Sequence, residues 1–184
     1  GGRPFKLIGY RNEHQPSRNR QACARRHSAE LAVSADGIVQ GLQVALIEDI
    51  GASGENFGAM GAGKPLSAFT GCYAIPAAAY DLTIVLSNKV PTSAYRGMGP
   101  PPHFFVLEQR MDSAARGLGL GPAEIRRRNY SRPEQFPYTI PSGNEYDSGE
   151  YEAALEQALA LADYPALRAE QARARAEGRL IGIG

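Results

Sequence analysis

The run Ala29-Glu-Leu31-Ala-Val33-Ser-Ala-Asp36-Gly37-Ile38-Val-Gln-Gly-Leu42-Gln-Val44-Ala-Leu46 decides the fold. Ala29, Leu31 and Val33 alternate with polar neighbours, and Ile38, Leu42, Val44 and Leu46 follow mainly at even spacing. Alternation of this kind places one face of a strand in a core. Asp36-Gly37 between the two runs is a turn dipeptide, so the stretch predicts a β-hairpin. Working outward, Phe5 to Ile8 after Pro4 gives a short apolar strand candidate. Residues 51 to 71 are rich in Gly and Ala and read as a loop. Tyr80, Leu82, Ile84 and Leu86 alternate again as a further strand.

Beyond a connection from Ser87 to Pro102 the period changes. Phe104, Leu107, Met111, Ala114 or Ala115, and Leu118 fall at spacings of three and four, which predicts a helix with one apolar face that stops at Gly117 or Gly119. Pro122 opens a second helix, with Glu124 near its start and Arg126, Arg127 and Arg128 near its end, where those charges complement the helix dipole. The triple arginine reads as a solvated helix end, with a docking or anion patch as the sharper alternative. Four breakers, Pro133, Pro137, Pro141 and Gly143, preclude a regular helix over 130–146. Asp147, with Glu150 three residues on, predicts the cap of a third helix whose stripe is Tyr151, Leu155, Leu159 and Ala162. A fourth, charged helix runs from Pro165 to about Ala176 and ends at Gly178. Leu180 to Gly184 reads as the start of a strand. The class is therefore α+β, strand-rich first and helix-rich afterwards.

Composition narrows the function. The 184 residues carry 20 basic and 19 acidic side chains, a formal +1, so net charge gives no support for nucleic-acid or anionic-membrane binding. Apolar runs are broken by Asp, Gly or Pro well short of a membrane span. The 21 glycines and 13 prolines imply many turns. Cys23 and Cys72 are the two cysteines, too few for a disulfide scaffold, a zinc ribbon or an iron–sulfur site. Each reads as a small, partly buried thiol. The chain opens on Gly1-Gly2-Arg3-Pro4 without a methionine, and it reads as a piece of something longer.

Three constellations could carry chemistry. Gly58-Ala-Met-Gly-Ala-Gly63-Lys64 fits the G-x-x-x-x-G-K part of a phosphate loop, but Pro65 stands where the magnesium-holding Ser or Thr belongs. His14, His27 and His103 lack any spacing that would place two imidazoles on one metal. Thr92-Ser-Ala-Tyr95-Arg96-Gly97-Met98-Gly99-Pro100, between a strand and a helix, lets the backbone approach a ligand closely and places amides where an anionic oxygen would accept.

At that loop the sequence resembles a known family. S-A-Y-R-G-M-G is similar to the A-Y-R-G-x-G or A-F-R-G-x-G loop of the molybdenum hydroxylases, the xanthine dehydrogenase, aldehyde oxidase and carbon monoxide dehydrogenase large-subunit family. Gly2-Arg3-Pro4 through Arg11-Asn12-Glu13-His14, Tyr73-Ala-Ile-Pro76, Pro122-Ala-Glu-Ile-Arg-Arg-Arg-Asn129, Phe136-Pro-Tyr138 and Tyr146-Asp-Ser-Gly149 resemble further family stretches in the same order. The resemblance implies part of a larger molybdopterin-binding domain, with residues 1–90 in one subdomain and 91–184 supplying the cofactor loop and the helical start of a second. It implies cofactor contacts by Tyr95, Arg96 and Gly97, with the peptide amide of Arg96 toward a molybdenum oxygen ligand, and Met98 facing the substrate pocket. Purine-oxidising members carry phenylalanine at that position, so a purine substrate is disfavoured. Copper-dependent carbon monoxide oxidisers carry cysteine where Gly97 stands, so no molybdenum–copper centre is expected there.

The implied activity is hydroxylation of an aldehyde or aromatic heterocycle with water-derived oxygen. Electrons would leave through [2Fe-2S] clusters and FAD on partner chains or domains. The implied assembly is a dimer of heterotrimers with an iron–sulfur small subunit and an FAD-binding medium subunit, in the cytoplasm, with molybdopterin in plain or cytosine-dinucleotide form. The family's G-G-x-F-G-G-K loop and its catalytic glutamate are expected outside this sequence, so no catalytic side chain and no side-chain metal ligand is assigned within it. Two other readings stand beside this one: a structural or interaction fragment without activity, and a phosphate-loop nucleotide-binding protein.

Overall fold

The computed structural model describes residues 2–13, 20–21, 23–54 and 58–184. His14 lies outside them. The strands are β1 (Arg20–Gln21), β2 (Ala24–Val33), β3 (Val39–Asp49), β4 (Ala78–Val85), β5 (Thr92–Ser93), β6 (Tyr138–Thr139) and β7 (Glu145–Tyr146). The helices are α1 (Gly58–Gly63), α2 (Pro100–Gly117), α3 (Pro122–Asn129), α4 (Tyr151–Leu161) and α5 (Tyr164–Ala176). Short 3-10 turns occupy Lys64–Ala68 and Pro133–Gln135.

The hairpin forms as its pattern predicts, with Ala29 opposite Val44 and Leu31 opposite Leu42. The turn spans more than Asp36-Gly37. Gly37 N–H donates to the Ser34 carbonyl at 2.9 Å, Ser34 N–H donates to the Ile38 carbonyl at 2.9 Å, and Gly37 has φ 85°. This is a three-residue loop with glycine in the left-handed position, which matches the twist of the strands. β4 adds to the free side of β3 in parallel register, giving the order β2-β3-β4. A parallel neighbour needs a crossover, and α1 with the 3-10 turn provides it.

One face of the sheet is covered by α2 and α3. Val39, Leu42 and Val44 from β3 meet Phe69, Tyr73 and Ile75 from the crossover, Leu107, Met111 and Ala115 from α2, and Ile125 from α3. Asn129 ties these layers together from 4% exposure. Val39 N–H donates to its Oδ1 at 2.8 Å, and its Nδ2 donates to the carbonyls of Gly37 at 2.8 Å and Ile125 at 2.7 Å.

Several sequence expectations are corrected. Residues 5–8 form no strand, and Phe5, Leu7 and Ile8 are exposed, because no described strand pairs with them. Leu180 to Gly184 is likewise irregular. The glycine-rich stretch is not all loop: Gly58 to Ala68 winds into α1 and the 3-10 turn, so the phosphate-loop pattern forms no open cradle, and Lys64 is exposed at its end. α2 begins at Pro100, two residues before the predicted end of the loop. α4 starts at Tyr151 with Glu150 as its cap residue, and Asp147 accepts from the Ser148 hydroxyl instead of capping. Its apolar stripe is only half-buried and Ala162 is exposed.

The triple arginine is paired within the chain. Arg126 binds Glu108 and Asp112, Arg127 binds Glu124 and Glu156, and Arg128 binds Glu124 and the Asp36 carbonyl. Those bonds clamp α3 to α2, α4 and the hairpin turn and leave no free anion patch.

Candidate functional site

Thr92 and Ser93 of β5 run parallel to β1, and Thr92 N–H donates to the Ile50 carbonyl at 3.0 Å. This fixes where the following loop leaves the sheet. The loop turns at once: Met98 N–H donates to the Tyr95 carbonyl at 2.6 Å, with Gly97 at φ 89°. A Cβ on Gly97 would stand 2.4 Å from Cγ of Pro101, so the turn accepts only glycine without rebuilding. Met98 follows at φ 46°, an uncommon conformation for a side-chain-bearing residue, and Gly99 at φ 109°.

The loop closes one wall of a cavity of about 290 Å³. Tyr95, Arg96, Met98 and Gly99 line it from the loop, with Pro101 and Pro102 from α2 and Arg25 and Glu48 from the sheet. Tyr95 is 60% exposed and Arg96 is also exposed, while Met98 is half-buried. Of the expected site residues, Tyr95, Arg96 and Met98 are thus brought together on one cavity, and Gly97 makes the bend that presents them.

The amides that offer donors are not the helix amides. Pro100, Pro101 and Pro102 fill the first turn of α2 and have no N–H. The donors lie in the loop ahead of the helix: among the described residues, the N–H groups of Arg96 and Gly97 have no hydrogen-bond partner. Thr92 Oγ1, in the cavity wall, is buried without a partner among the described residues.

Two further residues of the wall were not singled out from sequence. Arg25 and Glu48 face each other directly across β2 and β3, with side chains 5% and 1% exposed. Arg25 Nε donates to Glu48 Oε2, and Arg25 Nη1 donates to the Gly99 carbonyl at 2.9 Å. Burial pushes the Glu48 carboxyl above its ordinary range, and the guanidinium opposes that shift. Alternation was the signal that would have found both, since Glu48 continues the inward row of Val44 and Leu46, and Arg25 the row of His27, Ala29 and Leu31.

His27 on β2 is half-buried and lies close enough to His103 for the two to act on each other electrostatically; burial first, then Arg25 and His103, hold its pKa below the usual imidazole value. His103 is buried on α2, stacked on Phe69, and its Nε2 donates to the Phe69 carbonyl at 2.7 Å. Burial holds its pKa below the usual imidazole value. Among the described residues no group of three His, Cys, Asp or Glu side chains is placed to hold a metal.

The cysteines also differ from one another. Cys23 is exposed at the cavity, contrary to the partly buried reading, whereas Cys72 is half-buried. Burial, with Glu108 nearby, pushes the Cys72 thiol up to about 12. Since the thiolate is the nucleophile, brief treatment with iodoacetamide at pH 7.5 should modify Cys23 and leave Cys72 free. Peptide mass spectrometry reads this directly, and equal labelling of both would contradict the placement.

The fold is an α+β element whose glycine-turned loop stands at a cavity with the Arg96 and Gly97 N–H groups unpartnered among the described residues. The family model described as "Molybdopterin cofactor-binding domain" matches residues 1–130, and the chain belongs to that family. Over 195 residues it is 40% identical to the carbon monoxide dehydrogenase large chain of Hydrogenophaga pseudoflava, covering 100% of this chain and 23% of that protein. Over 190 residues it is 32% identical to the 6-hydroxypseudooxynicotine dehydrogenase complex subunit gamma of Paenarthrobacter nicotinovorans, covering 100% and 24%. The solved structure of quinoline 2-oxidoreductase from Pseudomonas putida 86 superposes with a TM-score of 0.80 at 32% identity, covering 93% of this chain and 22% of that one. The chain therefore spans less than a quarter of the length of each. No helix among the described residues is long and apolar enough to cross a membrane.

Proposed function

We propose that this chain is the part of a molybdenum hydroxylase large subunit that holds the metal-proximal end of its molybdopterin cofactor through the amide edge of Arg96 and Gly97. The observation that carries this reading is the pair of unpartnered N–H groups held on a glycine turn beside a cavity with an unpartnered buried hydroxyl, Thr92 Oγ1. An oxygen-bearing metal group fits that donor set, because backbone amides donate to anionic oxygen and need no side chain. When bound, the molybdenum cofactor supplies two-electron oxidation in which water-derived oxygen replaces a hydrogen on a substrate carbon.

The chain's own contribution is to orient and to exclude. Tyr95, Arg96 and Gly97 hold the cofactor edge, and Met98 presents a flexible thioether side chain toward the substrate side. The likeness to quinoline 2-oxidoreductase supports an aromatic heterocycle, with an aldehyde as the second substrate class, while Met98 disfavours a purine. Gly97 carries no thiolate, which argues against a molybdenum–copper centre despite the likeness to carbon monoxide dehydrogenases. The same reading brings an iron–sulfur small subunit, an FAD-binding medium subunit, a dimer of heterotrimers, a cytosine-dinucleotide form of the pterin, a cytoplasmic location and a subdomain boundary near residue 90.

Two substitutions test the amide role in the intact subunit. Proline is accepted at the second position of a turn whose third residue has positive φ, so Arg96→Pro removes the N–H and spares the bend. Arg96→Ala keeps the N–H. Elemental analysis should find molybdenum in the wild type and the alanine variant and a loss of about tenfold or more in the proline variant. Equal molybdenum in both variants would refute the amide role, and a wild type without molybdenum would refute the cofactor reading.

A further inference from the structure

A buried ion pair such as Arg25 with Glu48 stabilises a fold little more than an apolar pair of similar volume, because desolvation offsets most of the attraction. Its place in the structure indicates a second task. The two residues are direct cross-strand partners at the end of the β2–β3 ladder nearest the cofactor loop. Glu48 engages Nε of the guanidinium, which leaves Nη1 to reach the Gly99 carbonyl, 74 positions away in sequence, at 2.9 Å. Arginine suits this because its planar fork donates in fixed directions to two acceptors at once.

The opposite side of Gly99 is closed as well. A Cβ there would lie 1.9 Å from the Gly61 carbonyl of α1 and 3.4 Å from Arg25 Nη2. Gly61 is itself pressed against Nη2, with the corresponding distance 3.4 Å. The base of the loop is thus held between α1 and Arg25, while its tip, Tyr95 and Arg96, is exposed and unsupported by packing. The bend is closed by the Met98 N–H to Tyr95 carbonyl bond, so the direction of the Arg96 and Gly97 amides is set by its two anchors, β5 on one side and the base on the other.

We propose that Arg25, oriented by Glu48, is a positioning residue: it holds the Gly99 carbonyl and so sets the direction in which the Arg96–Gly97 amide edge faces the cofactor. This rests on the cofactor reading above. It does not make Arg25 a ligand, since its guanidinium is occupied by Glu48 and Gly99. Its effect is transmitted through three residues of backbone.

The test uses the intact subunit with the paired change Arg25→Met and Glu48→Met, and separately Arg25→Lys. The paired change replaces the ion pair by apolar side chains, so the melting temperature should stay within about 5 °C of wild type. The lysine variant keeps a cation beside Glu48 and loses the fork, which covers the case in which the paired variant does not fold. In whichever variant folds, molybdenum retained after dialysis should fall about tenfold. The paramagnetic resonance spectrum of the partly reduced metal should also differ from wild type. A folded variant with wild-type molybdenum retention and an unchanged spectrum would overturn the proposal. Absence of molybdenum from the wild type would instead remove the reading on which it rests.

Discussion

Gly99→Ala in the intact subunit is expected to lose bound molybdenum and to destabilise the cofactor-binding region by about 3 kcal/mol or more. Two terms contribute. A φ of 109° is outside the range of side-chain-bearing residues and costs on the order of 1–3 kcal/mol when imposed on alanine. The new methyl would also stand 1.9 Å from the Gly61 carbonyl oxygen, less than two-thirds of a normal contact, and neither backbone can yield without moving α1 or the loop. Either movement carries the Gly99 carbonyl away from Arg25. Gly63→Ala is the control two residues further along α1. Gly63 has φ −84° and nothing within 4 Å of its Cβ position, so alanine there should be neutral or slightly stabilising. Thermal melting and elemental analysis of the two variants separate the outcomes. An alanine at 99 with wild-type molybdenum and melting temperature would contradict the geometry of the loop base.

Asn129→Leu is expected to cost about 3–5 kcal/mol through a different route. Leucine keeps the branched shape and heavy-atom count of asparagine but leaves the Val39 N–H and the Gly37 carbonyl buried without their partner. Each such group costs about 1–3 kcal/mol, and the Ile125 carbonyl loses a second bond. The effect should appear as a lower denaturant midpoint for the whole hairpin and α3, with Cys72, which lies behind Tyr73 and Tyr130, becoming reactive to iodoacetamide. A midpoint unchanged within error would show that the asparagine does not hold the hairpin turn.

How much of this was legible in the sequence differs by element. The hairpin, β4, α2 and α3 follow from period and punctuation, because each buries one face against the same core, whereas α5 follows from Pro165 and Gly178 alone. Residues 5–8 and 180–184 have the composition of strands but no described partner strand, and composition cannot show that. The stretch from Gly58 to Ala68 defeats local reading because glycine disfavours a helix that tertiary packing nevertheless holds, with Ala62 and Pro65 buried beneath it. At the site, the ordered motifs led to Tyr95, Arg96, Gly97 and Met98, and the structure gathers those residues on one bend. Arg25 and Glu48 lie beyond the apolar alternation, because a charged residue on an inward row carries no hydrophobic signal. The proline run reads as the end of the loop, whereas Pro100 to Pro102 form the first turn of α2.

The asparagine latch also orders events during synthesis. The amide of Val39 emerges from the ribosome 90 residues before the side chain that accepts it. At roughly 5–20 residues per second the hairpin waits about 5 to 18 seconds, its turn bonded to water, before α3 arrives to lock it. Over that interval the sheet exposes the face that α2 and α3 later cover. A translational pause while residue 129 is still inside the ribosome would prolong that exposure, and one after residue 129 has emerged would not.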